Sequence, residues 1–326
     1  MFESLQSKIV IRGRLRVQTA LRIGTGRAAP AAGSDLPVMR DAIGVPFIPG
    51  SSLKGVVRAW AESLLRGMAD SPEKMQKLAC DPLRHKPQSA EAPRAEEAGR
   101  AAPSSDLTIC VDPGEVAEWQ RRQQSTDQRR GDPKVEGFTL PLDDSQVTQV
   151  LRNRLCCTCR VFGHQALASP VLFADLPLAT GDPVQVVAIR DGVAIDRETG
   201  TVSGGLKYDY EVVQGGTEFD LEIAAENLEP WQRGLLLLCI RALETGEIRV
   251  GGAKSRGLGA VRLMGKNGSG RPEILLYEPG DIGERLQMAV GKLAPVSVET
   301  DGDMAEGWIA ALAEEIERRL SDGEEE

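Results

Sequence analysis

Between residues 8 and 23, apolar and polar positions largely alternate. Ile9, Ile11, Leu15, Val17, Leu21 and Ile23 fall on one side with Gly13 and Thr19, and Arg12, Arg14, Arg16, Gln18 and Arg22 on the other. A period of two over this length predicts a strand with one buried and one cationic face. After Pro49-Gly50 the spacing becomes helical: Leu53, Val56, Val57, Trp60 and Leu64 recur on one face, with Lys54 and Arg58, four apart, on the opposite one. Ser51 or Ser52 is placed to cap that helix. Residues 80–135 break the pattern. The stretch 86–105 is rich in Ala, Pro and Glu with few large apolar groups, which predicts a largely disordered insertion, and 115–130 reads as a polar helix.

Order resumes near residue 138. Residues 171–176 and 184–189 read as strands. The turn-rich segment 192–200 and the extended run 206–213 predict a long hairpin over 190–214. Arg197, Lys207, Tyr208 and Tyr210 make that hairpin more polar than a core needs. Phe219, Leu221 and Ile223 alternate in a further strand, and Pro230 opens a helix at its favoured first position. Trp231, Leu235, Leu238 and Ala242 form the buried face of that helix. A short strand at 248–250, a glycine loop at 251–259 and a strand at 260–264 follow. Strand, helix, strand, glycine loop, strand is half of a ferredoxin-like arrangement, and the first strand with its helix supplies the other half, giving an α+β fold. Residues 1–265 thus form a core and 266–326 an extension. The extension reads as irregular until Trp308, Ile309, Leu312, Ile316 and Leu320 mark an amphipathic helix before an acidic tail.

At 41% hydrophobic and 27% charged over 326 residues, the composition is that of a soluble globular protein. No apolar run approaches the ~18 residues of a membrane span, and the first residues lack the order of a signal peptide, so a cytoplasmic protein is expected. The net charge of −9 is unevenly spread: residues 299–326 carry all of it, while residues 1–67 hold ten Lys/Arg against four Asp/Glu. A basic region beside an acidic tail hints at a nucleic-acid surface; an ordinary mixed surface with a solubilising tail explains the charge as well. The arginine face of the first strand divides in the same way, between solvated cations and a phosphate track.

Six cysteines in a reducing compartment do not imply disulfides. Cys156 and Cys159 have C-x-x-C spacing, which suits zinc, but two ligands do not complete a tetrahedral site. Cys80, His85 and Cys110 flank the insertion as candidates for the rest; reduced, buried thiols are the alternative. Cys239, on the buried side of a helix, belongs to the core.

Four motifs in order resemble the RAMP (repeat-associated mysterious protein) superfamily of CRISPR systems. They are IGTG at 23–26; GSDLPVMRD at 33–41 with PFIPGSSLKGVVR at 46–58; CRVFG at 159–163 with LFADL at 172–176; and GVAIDRETG at 192–200 with KYDYEVV at 207–213 and GGAKSRGLGAV at 251–261. The likeness spans roughly residues 8–264, with the insertion as the main departure, and within the superfamily it is to the repeated backbone subunit of type III effector complexes. It implies a modified RNA-recognition fold whose thumb hairpin is 193–213. It implies a guide RNA, a single-stranded target RNA and other RAMP subunits as partners, and no membrane. Guide phosphates fall to the helix starting at Ser51 and Ser52, with Lys54 and Arg58, and to Gly251, Gly252, Lys254, Ser255 and Arg256. Helix N-termini and small-residue loops suit anions.

By the same resemblance Asp35 is the target-cleaving aspartate, acting with Mg²⁺ or another divalent metal, and Asp41 is structural. A turn-forming role is the plainer reading of Asp35 alone. Relatives carry a zinc knuckle before the x-F-G motif, which favours a structural Zn²⁺ on Cys80, Cys110, Cys156 and Cys159, with His85, Cys157 and His164 as substitutes. A non-catalytic backbone subunit is the alternative. A guide-precursor processing ribonuclease, which calls for a histidine-based site, ranks last.

Overall fold

The computed structural model describes residues 5–25, 34–82, 110–112, 114–116, 134–135, 138–139, 144–179, 181–268 and 270–321. The stretch read as disordered (86–105), most of the polar helix at 115–130, His85, the loop before Ser34 and the end of the acidic tail lie outside them. In chain order the elements are β1 (Lys8–Val17), α1 (Gly50–Arg66), α2 (Pro72–Leu78), β2 (Lys134–Val135), β3 (Phe138–Thr139), α3 (Asp144–Arg154), α4 (Cys157–Phe162), β4 (Val171–Phe173), β5 (Val187–Ile195) and β6 (Val202–Val213). There follow β7 (Glu218–Glu226), α5 (Pro230–Thr245), β8 (Val261–Met264), β9 (Glu273–Tyr277), α6 (Ile282–Ala289), β10 (Val296–Ser297) and α7 (Asp303–Ser321).

β1 is the central strand. It runs antiparallel to β7 on one side and, on the other, to β8 near its end and β9 near its start. β4 extends the sheet beyond β7, and β10 extends it beyond β9. The order β8-β1-β7-β4, with α1 and α5 as the connecting helices, is the ferredoxin-like arrangement expected from the strand and helix pattern. The alternation along β1 holds from Ile11 to Val17, while Val10 on the opposite side is buried as well. Ile9, Ile11, Leu15 and Val17 are buried with Phe219, Leu221 and Ile223 of β7, Leu53, Val57 and Leu65 of α1, and Leu235, Cys239 and Leu243 of α5. Gly13 lies where β1 passes from one partner strand to the next. A Cβ there would run into the Met264 carbonyl, so glycine permits the handover.

Three expectations change. The first strand ends at Val17 instead of 23, because its backbone changes partners: Gln18 N donates to Ala260 O and Leu21 N to Val213 O, each at 2.8 Å. Residues 248–250 make a single bridge, Arg249 to Ala260, instead of a strand. The segment read as irregular after Gly265 contains β9, which buries Ile274 and Leu276 against β1. The extension therefore builds part of the central sheet. Its helix α7 buries Trp308, Leu312 and Ile316 against α5, where a Cβ at Gly234 would meet the Trp308 carbonyl.

The long hairpin is present as a separate two-stranded sheet of β5 and β6, paired from Val187–Val213 to Ile195–Val202. Its residues Ile189, Val193 and Ile195 are exposed. Among the described residues no helix is long and apolar enough to cross a membrane.

Candidate functional site

The segment after residue 33 lies against the inner end of β6. Glu211 N donates to Leu36 O at 3.1 Å, and Leu36 bridges Tyr210 in parallel. Asp35 N donates to Asp209 Oδ1 at 2.7 Å, and Asp209 N donates back to Asp35 Oδ2 at 3.1 Å. Ser34 Oγ donates to the same Asp209 oxygen at 3.1 Å. Two aspartates 174 residues apart thus exchange hydrogen bonds at the base of the hairpin. Asp35 is exposed, and its Oδ1 has no partner among the described residues. Glu211 continues the clamp, accepting from Val38 N at 3.0 Å and pairing with Arg40 at 3.2 Å. Asp41 accepts from Ile43 N and Val45 N, the local structural role expected of it. The sequence reading did not single out Asp209. Its one signal is that aspartate is disfavoured in mid-strand, here between two tyrosines.

The glycine loop docks beside this base. Gly252 N donates to Arg22 O and Gly259 N to Ala20 O, each at 2.8 Å. Gly251, at φ 82°, lies so close to the Arg22 carbonyl that a Cβ would overlap it. Lys254, Ser255 and Arg256 form one exposed 3₁₀ turn. Arg256 Nη1 donates to Tyr208 Oη at 3.2 Å, and the Arg22 guanidinium stands 5.9 Å over the Tyr210 ring. The Asp35 segment, the hairpin base and the glycine loop therefore converge.

The start of α1 differs from expectation. Neither Ser51 nor Ser52 caps it; Pro49 occupies the N-cap, and Asp175 Oδ1 accepts from Gly50 N at 2.8 Å. A carboxylate from the LFADL segment thus takes part of the anion site that a helix N-terminus offers. A Cβ at Gly50 would meet the carbonyls of Phe173 and Ala174, so glycine lets the helix start against the end of β4. Ser51 is exposed and Ser52 half-buried. Lys54 Nζ donates to Val171 O at 3.0 Å, and burial, with Arg58 nearby, pushes its pKa down. Arg58 pairs with Glu62 at 2.8 Å and donates to Gly163 O at 2.9 Å and Cys159 Sγ at 3.3 Å. Both cations grip the protein's own α4–β4 segment along a cleft of about 590 Å³. On β1, Arg12 pairs with Glu222 at 2.8 Å, and Arg14 with Glu218 at 3.0 Å and Asp220 at 3.5 Å. Arg16 is exposed.

Cys80, Cys110, Cys156 and Cys159 come together, with all four Sγ atoms within 4.8 Å of one another. Sulfurs around a tetrahedral zinc at about 2.3 Å stand about 3.8 Å apart, and Cys80 and Cys159 Sγ lie 3.6 Å apart. This cluster can hold a metal ion. Burial opposes ionisation of Cys156, but contacts with Cys110, Cys159 and Cys80 outweigh it and hold its pKa well below the ordinary value. Around the sulfurs, Val111, Val116, Val147, Val150, Leu151 and Leu155 form a small core of their own. Of the substitutes, Cys157 belongs to the main core, where burial pushes its thiol up to about 12. His164 stands close by, its pKa lowered by burial and its Nδ1 accepting from Ala166 N at 3.1 Å. The lobe is tied to α7: Arg319 donates to Lys77 O at 3.1 Å and Leu155 O at 3.0 Å and pairs with Glu315 at 2.6 Å.

Comparison with known proteins places these features. The CRISPR system Cms endoribonuclease Csm3 of Methanocaldococcus jannaschii is 43% identical over 60 residues, 18% of this chain and 24% of that protein. The protein of the same description from Mycobacterium tuberculosis is 52% identical over 54 residues, 16% of this chain and 23% of that protein. The chain thus spans about a quarter of the length of the curated relatives it matches. The family model described as RAMPs, the RAMP superfamily, matches residues 14–262, from the middle of β1 through the glycine loop into β8. With most of the ferredoxin-like core and all of the hairpin and the glycine loop inside that match, the chain belongs to the RAMP superfamily.

Proposed function

We propose that this chain is a guide-RNA-binding backbone subunit of a type III CRISPR ribonucleoprotein that cuts complementary target RNA through Asp35, with Mg²⁺ or another divalent cation. The observation that carries the reading is the placement of Asp35: exposed, fixed by Asp209 at the base of a projecting hairpin, and beside a glycine loop whose cations face outward. A hairpin with exposed Ile189, Val193 and Ile195 suits insertion between unstacked bases, and Tyr208 and Tyr210 at its base offer stacking surfaces.

In this reading the open oxygen of Asp35 takes the proton from the target's 2′-hydroxyl. The 2′-oxygen bonds to the adjacent phosphorus in line, giving a 2′,3′-cyclic phosphate, and the P–O5′ bond breaks as the 5′-oxygen leaves and takes a proton from water. A bound divalent cation would supply charge neutralisation at the phosphate. One carboxylate makes a sparse site, so much of the rate would come from positioning of the RNA.

Lys254, Ser255 and Arg256, with Gly251 and Gly252 allowing close approach, are the guide contacts best supported by exposure; Ser51 and Ser52 at the start of α1 come next. Lys54, Arg58, Arg12 and Arg14 hold protein groups and would have to exchange them for phosphate, whereas Arg16 would not. The four-cysteine cluster would hold a structural zinc in a closed site. Guide RNA, target RNA and other RAMP subunits are the partners this reading requires. A processing ribonuclease is less well supported: the only histidine among the described residues, His164, lies beside the cysteine cluster.

The test is Asp35→Ala in the assembled complex. Loss of target cutting by about 100-fold or more, with guide and target affinity intact, is expected for removal of a catalytic base. Unchanged cutting at every site would leave the non-catalytic backbone subunit as the function.

A further inference from the structure

We infer that Asp209 is a positioning residue for Asp35, setting the orientation of that carboxylate against the hairpin. The inference rests on the reading of Asp35 as the cutting group. Residues 34–38 form no regular element, so their placement comes from partners elsewhere. Three hydrogen bonds supply it at Ser34 and Asp35. Asp35 N and Ser34 Oγ both donate to Asp209 Oδ1, at 2.7 and 3.1 Å, and Asp209 N returns a bond to Asp35 Oδ2 at 3.1 Å.

The returned bond decides which carboxylate oxygen of Asp35 is engaged, leaving Oδ1 as the open one. The two forward bonds, one from Asp35 N and one from Ser34 Oγ, decide where the Ser34–Asp35 segment lies. An ionised acceptor makes such bonds roughly twice as strong as a neutral one, which accounts for a carboxylate at this position. It stands there despite the low strand propensity of aspartate and despite a like charge beside it. Tyr208, the preceding residue on β6, accepts from Arg256 of the glycine loop. One strand therefore sets the cutting carboxylate and the guide-facing loop relative to each other. In a site with a single carboxylate, a displacement of about 1 Å costs on the order of 100-fold in rate.

The experiment compares Asp209→Ala and Asp209→Asn in the assembled complex, by single-turnover cleavage at saturating target, target affinity, melting temperature and amide hydrogen exchange at Asp35. Asn keeps an oxygen in place of Oδ1, so cleavage within a few-fold of the parent is expected. Ala removes both forward bonds, and a loss of about 10- to 100-fold is expected, with affinity and melting temperature unchanged and exchange at Asp35 faster. Asp209→Thr, a better strand former than Ala, repeats the test if Ala loosens the hairpin. Unchanged exchange at Asp35 in the Ala variant overturns the inference whatever cleavage does. Equal loss of cleavage in Asn and Ala also overturns it, because charge and not placement would then be what Asp209 supplies. If Asp35→Ala still cuts, the cleavage reading fails, while the exchange data still report whether Asp209 holds the segment.

Discussion

Replacing Cys159 by serine takes one corner from a cluster whose four Sγ atoms lie within 4.8 Å of one another. The consequence follows from how little else holds that lobe together. Its six buried aliphatic side chains, Val111, Val116, Val147, Val150, Leu151 and Leu155, contribute about 1.5–3 kcal/mol each, roughly 9–18 kcal/mol together. Ordering the backbone of the eleven-residue α3 alone costs about 1–2 kcal/mol per residue, roughly 11–22 kcal/mol. The two terms cancel to within a few kcal/mol. A structural zinc, if the cluster holds one as proposed, would supply about 10–16 kcal/mol of apparent binding free energy, enough to decide whether the lobe is ordered.

Metal content and hydrogen exchange read the outcome. The parent protein, expressed with zinc and dialysed against a weak chelator, should retain about one zinc per chain, and Cys159→Ser about a tenth of that or less. Exchange of α3 amides should then rise by about 100-fold or more, a shift of about 2.7 kcal/mol, while β1 and β7, which pack in the separate main core, keep their protection. Cys157→Ser is the control, since Cys157 belongs to the main core. Full zinc in Cys159→Ser, loss of zinc in Cys157→Ser, or none in the parent would each refute the reasoning.

Two further outcomes follow from charge placement. Burial raises the Glu315 carboxyl, but its pairs with Arg319 and Arg318 outweigh that and hold its pKa below the ordinary 4.5. That stabilisation is complete above about pH 4.5 and is lost as pH falls through the folded value. Glu315→Gln should therefore cost about 3 kcal/mol near neutrality, because it leaves the buried Arg319 charge with carbonyl acceptors but without its paired carboxylate, and the two denaturation curves should converge in acid. A constant gap at all pH values would contradict this. For RNA, Lys254→Ala and Arg256→Ala together should flatten the dependence of log affinity on log salt by about 1.4, about 0.7 for each phosphate contact on a single strand. Arg12→Ala, whose guanidinium already pairs with Glu222, should leave the slope unchanged; equal effects from both changes would argue against the glycine loop as the phosphate contact.

What the chain reveals on reading is what its periodicities and short motifs encode locally. The alternation of β1, the face of α1, the hairpin and α5 are each written in consecutive residues, and so is the Asp41 turn. β9 escaped because five residues with Ile274 and Leu276 inward make too short a signal until β1 is beside them. The cap of α1 escaped for a related reason: Ser51 and Ser52 suit a cap by residue type, but Gly50 N reaches Asp175 across 125 residues. The resemblance to relatives with a zinc knuckle favours Cys80 and Cys110 over His85, Cys157 and His164, and Cys156 and Cys159 could be paired by their spacing. Asp209 could not, because nothing near it in sequence mentions Asp35.

Cation placement separates two classes of residue that look alike in sequence. Lys54, Arg58, Arg12 and Arg14 lie in basic motifs, yet each meets a carbonyl, a thiol or a carboxylate of the same chain. Lys254 and Arg256 lie in a nine-residue loop with four glycines and stay exposed. The difference comes from the backbone. A cation on a regular element sits over the groups that the element packs against. A loop shaped by positive φ at Gly251, Ala253, Gly257 and Gly259 leaves Lys254 and Arg256 exposed, Arg256 reaching only the Tyr208 hydroxyl. For an RNA surface the consequence is specific. Lys54, Arg58, Arg12 and Arg14 of the basic first 67 residues hold the lobe and the sheet together, so under the proposed function phosphate would fall first to the exposed Arg16 and, more than 180 residues later, to Lys254 and Arg256.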